Sequence, residues 1–268
     1  MLPHAKLNKN VVGFFPYWQT DELKHIRPQL LSEINFFSLS IDDDGHIAKV
    51  KDGETDPGWR VWQEEDIKNL TIKSHIIGTK NSLTITALNN DLITSFLDSE
   101  TSQQNLIQDV LHEVKNRKLD GITIDFEYAG QPDEGYQSAF SSFSKKLKDP
   151  LKKDFPKLQL SLSLMPLSGR EDNLYDFSAI EPIYDRFIGM SYEYYGASSD
   201  IAGPIAPMKG FDEGVYFFDV TTTYKDYLKF IPKEKIIMGV PYYGREWAVT
   251  DGKIKNSTTL ASDSPDSY

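Results

Sequence analysis

The 268-residue chain contains no cysteine, which excludes a disulfide framework and a thiolate metal site and leaves the redox compartment open. No run of about 18 apolar residues occurs, so no membrane-spanning segment is expected. The opening Met1-Leu2-Pro3-His4-Ala5-Lys6-Leu7 carries no apolar signal-peptide core; a signal removed ahead of it stays open as a reading. Basic residues are outnumbered, 29 against 40 acidic ones, for a formal charge of −11. That balance argues against a nucleic-acid backbone or an anionic membrane surface as the main partner. Gly-x-Gly-x-x-Gly and Gly-Lys-Ser/Thr are both absent, so no phosphate-cradling loop is expected. The Gly-x-Ser-x-Gly elbow of many serine hydrolases is missing as well.

What is present can build a core: 39% of the residues are hydrophobic and 12% aromatic. Apolar runs and amphipathic stretches alternate. Residues 11–18, 34–40, 119–128, 158–166, 187–192 and 236–241 read as strands, with 73–78 as a weaker one. Residues 101–117, 136–151 and 222–231 read as helices from the spacing of their apolar positions. Asp42-Asp43-Asp44-Gly45 is a turn signal. Strands alternating with helices imply parallel strands joined by helical crossovers. With no linker and no second composition regime, the expectation is an α/β fold, a TIM-type (β/α)8 barrel spanning 11–247. Only seven strands are visible; residues 248–268 turn polar, and no eighth apolar strand is seen. Either that segment begins further sequence, or residues 247–254 close the gap irregularly.

The chemistry concentrates in Asp120-Gly121-Ile122-Thr123-Ile124-Asp125-Phe126-Glu127-Tyr128. Strand side chains alternate, so Thr123, Asp125 and Glu127 share one face and Ile122, Ile124 and Phe126 the other. Same-face neighbours lie about 6–7 Å apart, close enough for each carboxyl to shift the other's proton affinity. In a β/α barrel the active site forms at the carboxyl ends of the strands. Asp125 and Glu127 end the fourth strand, Trp18 follows the first, Met190 and Tyr192 end the sixth, and Tyr242, Tyr243 and Arg245 follow the seventh. This mixture suits a neutral polyhydroxylated ligand. The bland alternatives are a solvated strand end, or a magnesium or calcium site completed by Asp120 or Glu193. Tyr192, Trp18 and Trp247 could equally be packing residues. His75 and His112 read as structural, and the lysines of 145–153 as a solvated helix face.

The fourth-strand sequence resembles the Asp-Gly-x-Asp-x-Asp-x-Glu signature of glycoside hydrolase family 18, the chitinase-like barrels. Val12-Gly13-Phe14-Phe15-Pro16-Tyr17-Trp18 is similar to that family's first strand, and Met190-Ser191-Tyr192-Glu193 to its Met-x-Tyr-Asp. Gly239-Val240-Pro241-Tyr242-Tyr243-Gly244-Arg245-Glu246-Trp247 is similar to its Gly-x-Pro-x-Tyr-Gly-Arg-x-Trp. The resemblance implies a retaining hydrolase of polymers containing β-linked N-acetylglucosamine (GlcNAc), acting by substrate-assisted catalysis. It implies Glu127 as acid and base, Asp125 as holder of the acetamido N–H, and Tyr192 as partner of the acetamido carbonyl. It further implies substrate contacts for Trp18, Tyr128, Met190, Glu193, Tyr243 and Arg245. No metal or organic cofactor is implied, the partner is a GlcNAc-containing oligo- or polysaccharide, and an extracytoplasmic location is expected. The alternative is a chitinase-like lectin that binds sugar without turnover.

Three departures accompany the resemblance. Thr123 replaces the signature's middle aspartate, and its hydroxyl is expected to be a weaker partner for Asp125. Glu193 replaces an aspartate. The third-strand Ser-x-Gly-Gly motif is missing, with Ile77-Gly78-Thr79-Lys80 expected in its place. These departures point toward the bacterial spore and cell-envelope members. An ionised Asp125 is expected to raise the proton affinity of Glu127.

Overall fold

A computed structural model describes residues 8–210 and 219–253. They divide into two compact units, one running up to residue 163 with 172–187 added, the other comprising 164–171 and the residues from 188 onward. The architecture is an open β/α barrel. Its strands are β1 (Val12–Pro16), β2 (Glu33–Ser40), β3 (Lys80–Ala87), β4 (Gly121–Phe126), β5 (Gln159–Leu164), β6 (Arg186–Gly189) and β7 (Ile236–Met238). They are hydrogen-bonded in the order β1-β2-β3-β4-β5-β6-β7. Among the described residues no eighth strand follows β7; most of the polar C-terminal segment, residues 254–268, lies outside them. The helices are α1 (Pro57–Trp62), α2 (Glu65–Ile77), α3 (Asn90–Asp98), α4 (Glu100–Arg117), α5 (Tyr136–Asp154), α6 (Phe177–Ile180) and α7 (Val220–Tyr227). A short antiparallel hairpin pairs Val50–Lys51 with Glu54–Thr55.

In the first unit, β1 to β5 form a parallel ladder. Thr84 lies opposite Thr123 and Thr86 opposite Asp125 between β3 and β4, while Thr123 lies opposite Ser161 between β4 and β5. The apolar face of β4 turns toward the helices. There the Phe126 ring lies 5.5 Å from Phe96 of α3 and 6.2 and 6.0 Å from Phe140 and Phe143 of α5. These rings have no exposed surface to speak of, and their burial fixes which way β4 faces. Thr123 and Asp125 are thereby directed away from the helices. Side-chain caps mark the starts of α3 and α4, where Asn89 accepts from the Leu92 amide and Ser99 from the Ser102 amide.

The third strand lies elsewhere than expected. Residues 73–78 form the last turns of α2 and its cap, with Ile67, Thr71 and Ser74 buried at helical spacing. Gly78 ends the helix in the left-handed region, φ 86°. The strand itself is Lys80–Ala87, buried on both faces from Asn81 onward. Ser82, Thr84 and Thr86 supply one of those faces, which is why no apolar run announces it. Ile77-Gly78-Thr79-Lys80 is therefore not the counterpart of the missing motif, and β3 contains no glycine at all. The sixth and seventh strands are also shorter than expected, so Met190, Tyr192 and Pro241 follow strands rather than belonging to them.

Candidate active site

The candidate residues fall into two groups, each within one unit. In the first, Asp125 is 1% exposed and Glu127 half-buried. The Glu127 amide continues the ladder by donating to the Ala87 carbonyl at 2.9 Å. The loop beyond is pinned to α3 by a reciprocal pair: Asn90 Nδ2 donates to the Ala129 carbonyl and the Ala129 amide to Asn90 Oδ1, each at 2.9 Å. Tyr128, in that loop, is half-buried. Trp18 follows β1 with 58% of its surface exposed, edge-on to Tyr17 at 5.0 Å and Phe37 at 5.9 Å.

Neither carboxyl oxygen of Asp125 receives a well-formed hydrogen bond. Burial pushes its pKa up to about 8, the neighbouring charge of Glu127 adds to the rise, and the Ser163 hydroxyl opposes it. Burial also raises Glu127. Both members are driven toward the neutral form, the more deeply buried Asp125 by burial first and by its neighbour's charge second. The pair titrates as a coupled unit, since charge on one member favours the proton on the other. Thr123 does not serve Asp125 as expected; its oxygen accepts from Asn35 Nδ2 at 2.8 Å.

Sequence reading missed four neighbours: Asn35, Thr84, Ser163 and Tyr175. Tyr175 is buried and donates to the Phe126 carbonyl at 2.8 Å. Its phenol is raised well above the ordinary value, by burial first and then by Asp125. Asp120 is engaged elsewhere, accepting from the Asn81 amide at 2.9 Å and meeting His75 Nε2 at 3.0 Å. Among the described residues no three acidic or histidine side chains gather as metal ligands.

The second group lies in the other unit. Met190 is half-buried, and the Tyr192 ring meets Tyr243 edge-on at 6.4 Å. Between them Ser191 donates to the Gly239 carbonyl at 2.6 Å and contacts the Tyr224 hydroxyl at 2.9 Å, clipping the end of β6 to the end of β7. Gly239 is required there, because a Cβ would fall 2.4 Å from the Gly189 carbonyl oxygen. Glu193, in the left-handed region at φ 59°, accepts from Tyr243 Oη at 2.5 Å and Arg245 Nη2 at 2.9 Å. Burial raises the Tyr243 phenol, and its hydrogen bond to Glu193 raises it further. Glu193 is therefore committed to a side-chain cluster. The Trp247 indole donates to the Gly196 carbonyl at 3.2 Å, whereas Tyr242 is fully exposed.

Three known proteins show the likeness. The cortical fragment-lytic enzyme of Bacillus subtilis is 25% identical over 189 residues, which is 68% of this chain and 39% of that protein. The chain thus spans well under half the length of this curated relative. Among solved structures, the Ostrinia furnacalis Group IV chitinase in complex with allosamidin superposes with a TM-score of 0.79 at 23% identity, covering 94% of this chain and 71% of that one. The Bacillus cereus spore cortex-lytic enzyme SleL superposes with a TM-score of 0.67 at 19% identity, covering 96% and 54%. Residues 10–267 match the family model described as "Glycosyl hydrolases family 18", and the chain belongs to that family.

Proposed function

We propose that the chain is a retaining glycoside hydrolase that cleaves polymers containing β-linked GlcNAc, with the substrate's own acetamido group as nucleophile. Glu127 gives its proton to the glycosidic oxygen as the anomeric C–O bond breaks. The acetamido carbonyl oxygen bonds to the anomeric carbon from the opposite face, giving an oxazolinium ion. Water then opens that ring and returns a proton to Glu127, so the acid of the first step is the base of the second. Tyr192 is assigned to the acetamido carbonyl. Trp18, Tyr128, Met190, Glu193, Tyr243 and Arg245 are assigned to sugar contacts.

The observation that carries this reading is the buried pair Asp125 and Glu127, both raised by burial. An acetamido N–H donating to Asp125 would stabilise that group's ionised form, because a hydrogen bond to the charged state favours it. The pair's negative charge then settles on Asp125 and the proton on Glu127, where the leaving oxygen needs it. Ligand binding itself sets the protonation state that the chemistry requires. The substrate class is further supported by relatives named for chitin and spore cortex. The spore and cell-envelope branch is the proposed placement, with an extracytoplasmic site of action.

Hydrolysis of a chromogenic GlcNAc oligomer by the chain and by Glu127→Gln tests the assignment. Loss of general acid–base catalysis should cost about 10²–10⁴-fold in rate. Undiminished turnover by the variant would sink the mechanism, and sugar binding without turnover by the unaltered chain would favour a lectin.

A further inference from the structure

The hydrogen-bonded ladder between β4 and β5 stops short of the end of β4. It runs from Gly121 opposite Gln159 to Ile124 opposite Leu162, so the Phe126 carbonyl lies beyond it. Tyr175 supplies a donor there: its hydroxyl gives a hydrogen bond to that carbonyl at 2.8 Å. At the other side of the same peptide unit, the Glu127 amide donates to the Ala87 carbonyl of β3 at 2.9 Å. The C=O and N–H of a trans peptide point in opposite directions within one plane. The unit joining Phe126 to Glu127 is therefore held from both sides. Tyr175 is itself firmly seated. It is 5% exposed, and its ring lies 5.3 Å from Phe140 of α5 and 6.4 Å from Phe177 of α6. Its amide donates to Asn173 Oδ1 at 2.9 Å, and Gln137 of α5 donates to the Asn173 carbonyl at 2.7 Å. Burial raises the phenol well above its ordinary value, so the hydroxyl keeps its proton and stays a donor.

We propose that Tyr175 is a positioning residue for Glu127: by holding the Phe126 carbonyl it fixes the peptide plane from which the Glu127 side chain projects. The inference rests on the proposed hydrolase reading, in which Glu127 must reach the glycosidic oxygen. Without the phenol, the plane keeps only its bond to Ala87 and is free to tilt about it. Such a tilt is amplified at the far end of the glutamate side chain. A displacement of about 1 Å at a reacting group can cost about 10²-fold in rate. The acid's proton moves only in the transition state, whereas the sugar is held by other side chains. Loss of the phenol should therefore lower kcat and leave KM nearly unchanged. The Tyr175 hydroxyl is spent on a backbone carbonyl, so its effect reaches the substrate only through Glu127.

The test compares the full chain with Tyr175→Phe, which removes the hydroxyl and keeps the ring. Two measurements are made well below the melting transition of both proteins: amide hydrogen exchange by NMR, and hydrolysis of a chromogenic GlcNAc oligomer. The Glu127 amide should exchange about tenfold faster in the variant, with the Ile122 and Ile124 amides changed much less. The kcat should fall about 10–100-fold, with KM within about twofold of its original value. A merely structural Tyr175 would lower the melting temperature and quicken the β4 amides evenly, with kcat unchanged, and that result overturns the proposal. So does a quickened Glu127 amide with full kcat, or a loss of rate carried by KM. If Tyr175→Phe does not fold, Asn173→Ala, which loosens the seat of the tyrosine, decides by the same two readings. The exchange measurement needs no turnover. An unaltered chain that fails to cleave the oligomer would defeat the hydrolase reading, and that failure is distinguishable from an unmoved Glu127 amide.

Discussion

A carboxyl that is 1% exposed and accepts no well-formed hydrogen bond gives up its proton reluctantly, and Asp125 holds it up to a pKa of about 8. In the unfolded chain the same group would titrate near the ordinary value of about 3.9. Its contribution to stability is therefore fully present below that lower value. It declines as pH rises, and levels off once pH passes the folded value. Asp125→Asn removes the decline while keeping the shape. The variant should gain about 2 kcal/mol or more over the unaltered chain near pH 8 and almost nothing at pH 4. Chemical denaturation at the two pH values checks this, and an equal effect at both would contradict the burial argument. A site residue that lowers the stability of its own fold is the usual mark of a group retained for chemistry. Glu193 illustrates the opposite case at the same scale: its carboxylate is occupied by Tyr243 and Arg245, so its cluster is largely self-contained.

Among the elements, β4 is the most legible in the sequence and β3 the least. Ile122, Ile124 and Phe126 alternate with Thr123 and Asp125, and the apolar set has helices to bury against. That alternation is enough by itself to locate the carboxyls. The strand β3 presents Ser82, Thr84 and Thr86 to an interior that is itself polar, so period-2 alternation reads as a solvated edge. The apolar end of α2 then imitates the missing strand. Asn35 did carry a signal, an amide within the apolar Ile34-Asn35-Phe36, since such a group is buried only with partners. Tyr175 carried none, being one aromatic in an irregular segment whose position only the fold supplies.

The polar interior also makes a prediction about β2 and β6. Arg186 forks onto Glu33, Nη1 to Oε2 at 2.7 Å and Nη2 to Oε1 at 2.9 Å. Arg186→Met alone leaves the Glu33 carboxylate, 2% exposed, with Ser82 as its remaining donor. It should cost about 3–5 kcal/mol, whereas Arg186→Met with Glu33→Leu should recover most of the loss. Urea unfolding of the single and double variants separates these outcomes. A single variant losing less than about 1 kcal/mol would show that the pair contributes little.

At the scale of the whole chain, family membership spans residues 10–267 and covers both compact units. No described helix is long and apolar enough to cross a membrane. The first unit carries the proposed acid and the acetamide-holding carboxyl, and the second carries the proposed carbonyl partner Tyr192. A substrate-assisted reaction needs the acetyl group on the sugar. The most direct measurement is cleavage of an aryl GlcNAc trimer and of its N-deacetylated counterpart, with the anomer released first followed by proton NMR. The expected result is early β-anomer from the acetylated trimer and no cleavage of the deacetylated one. Equal cleavage of the two, or an α-anomer appearing first, would contradict the proposed mechanism.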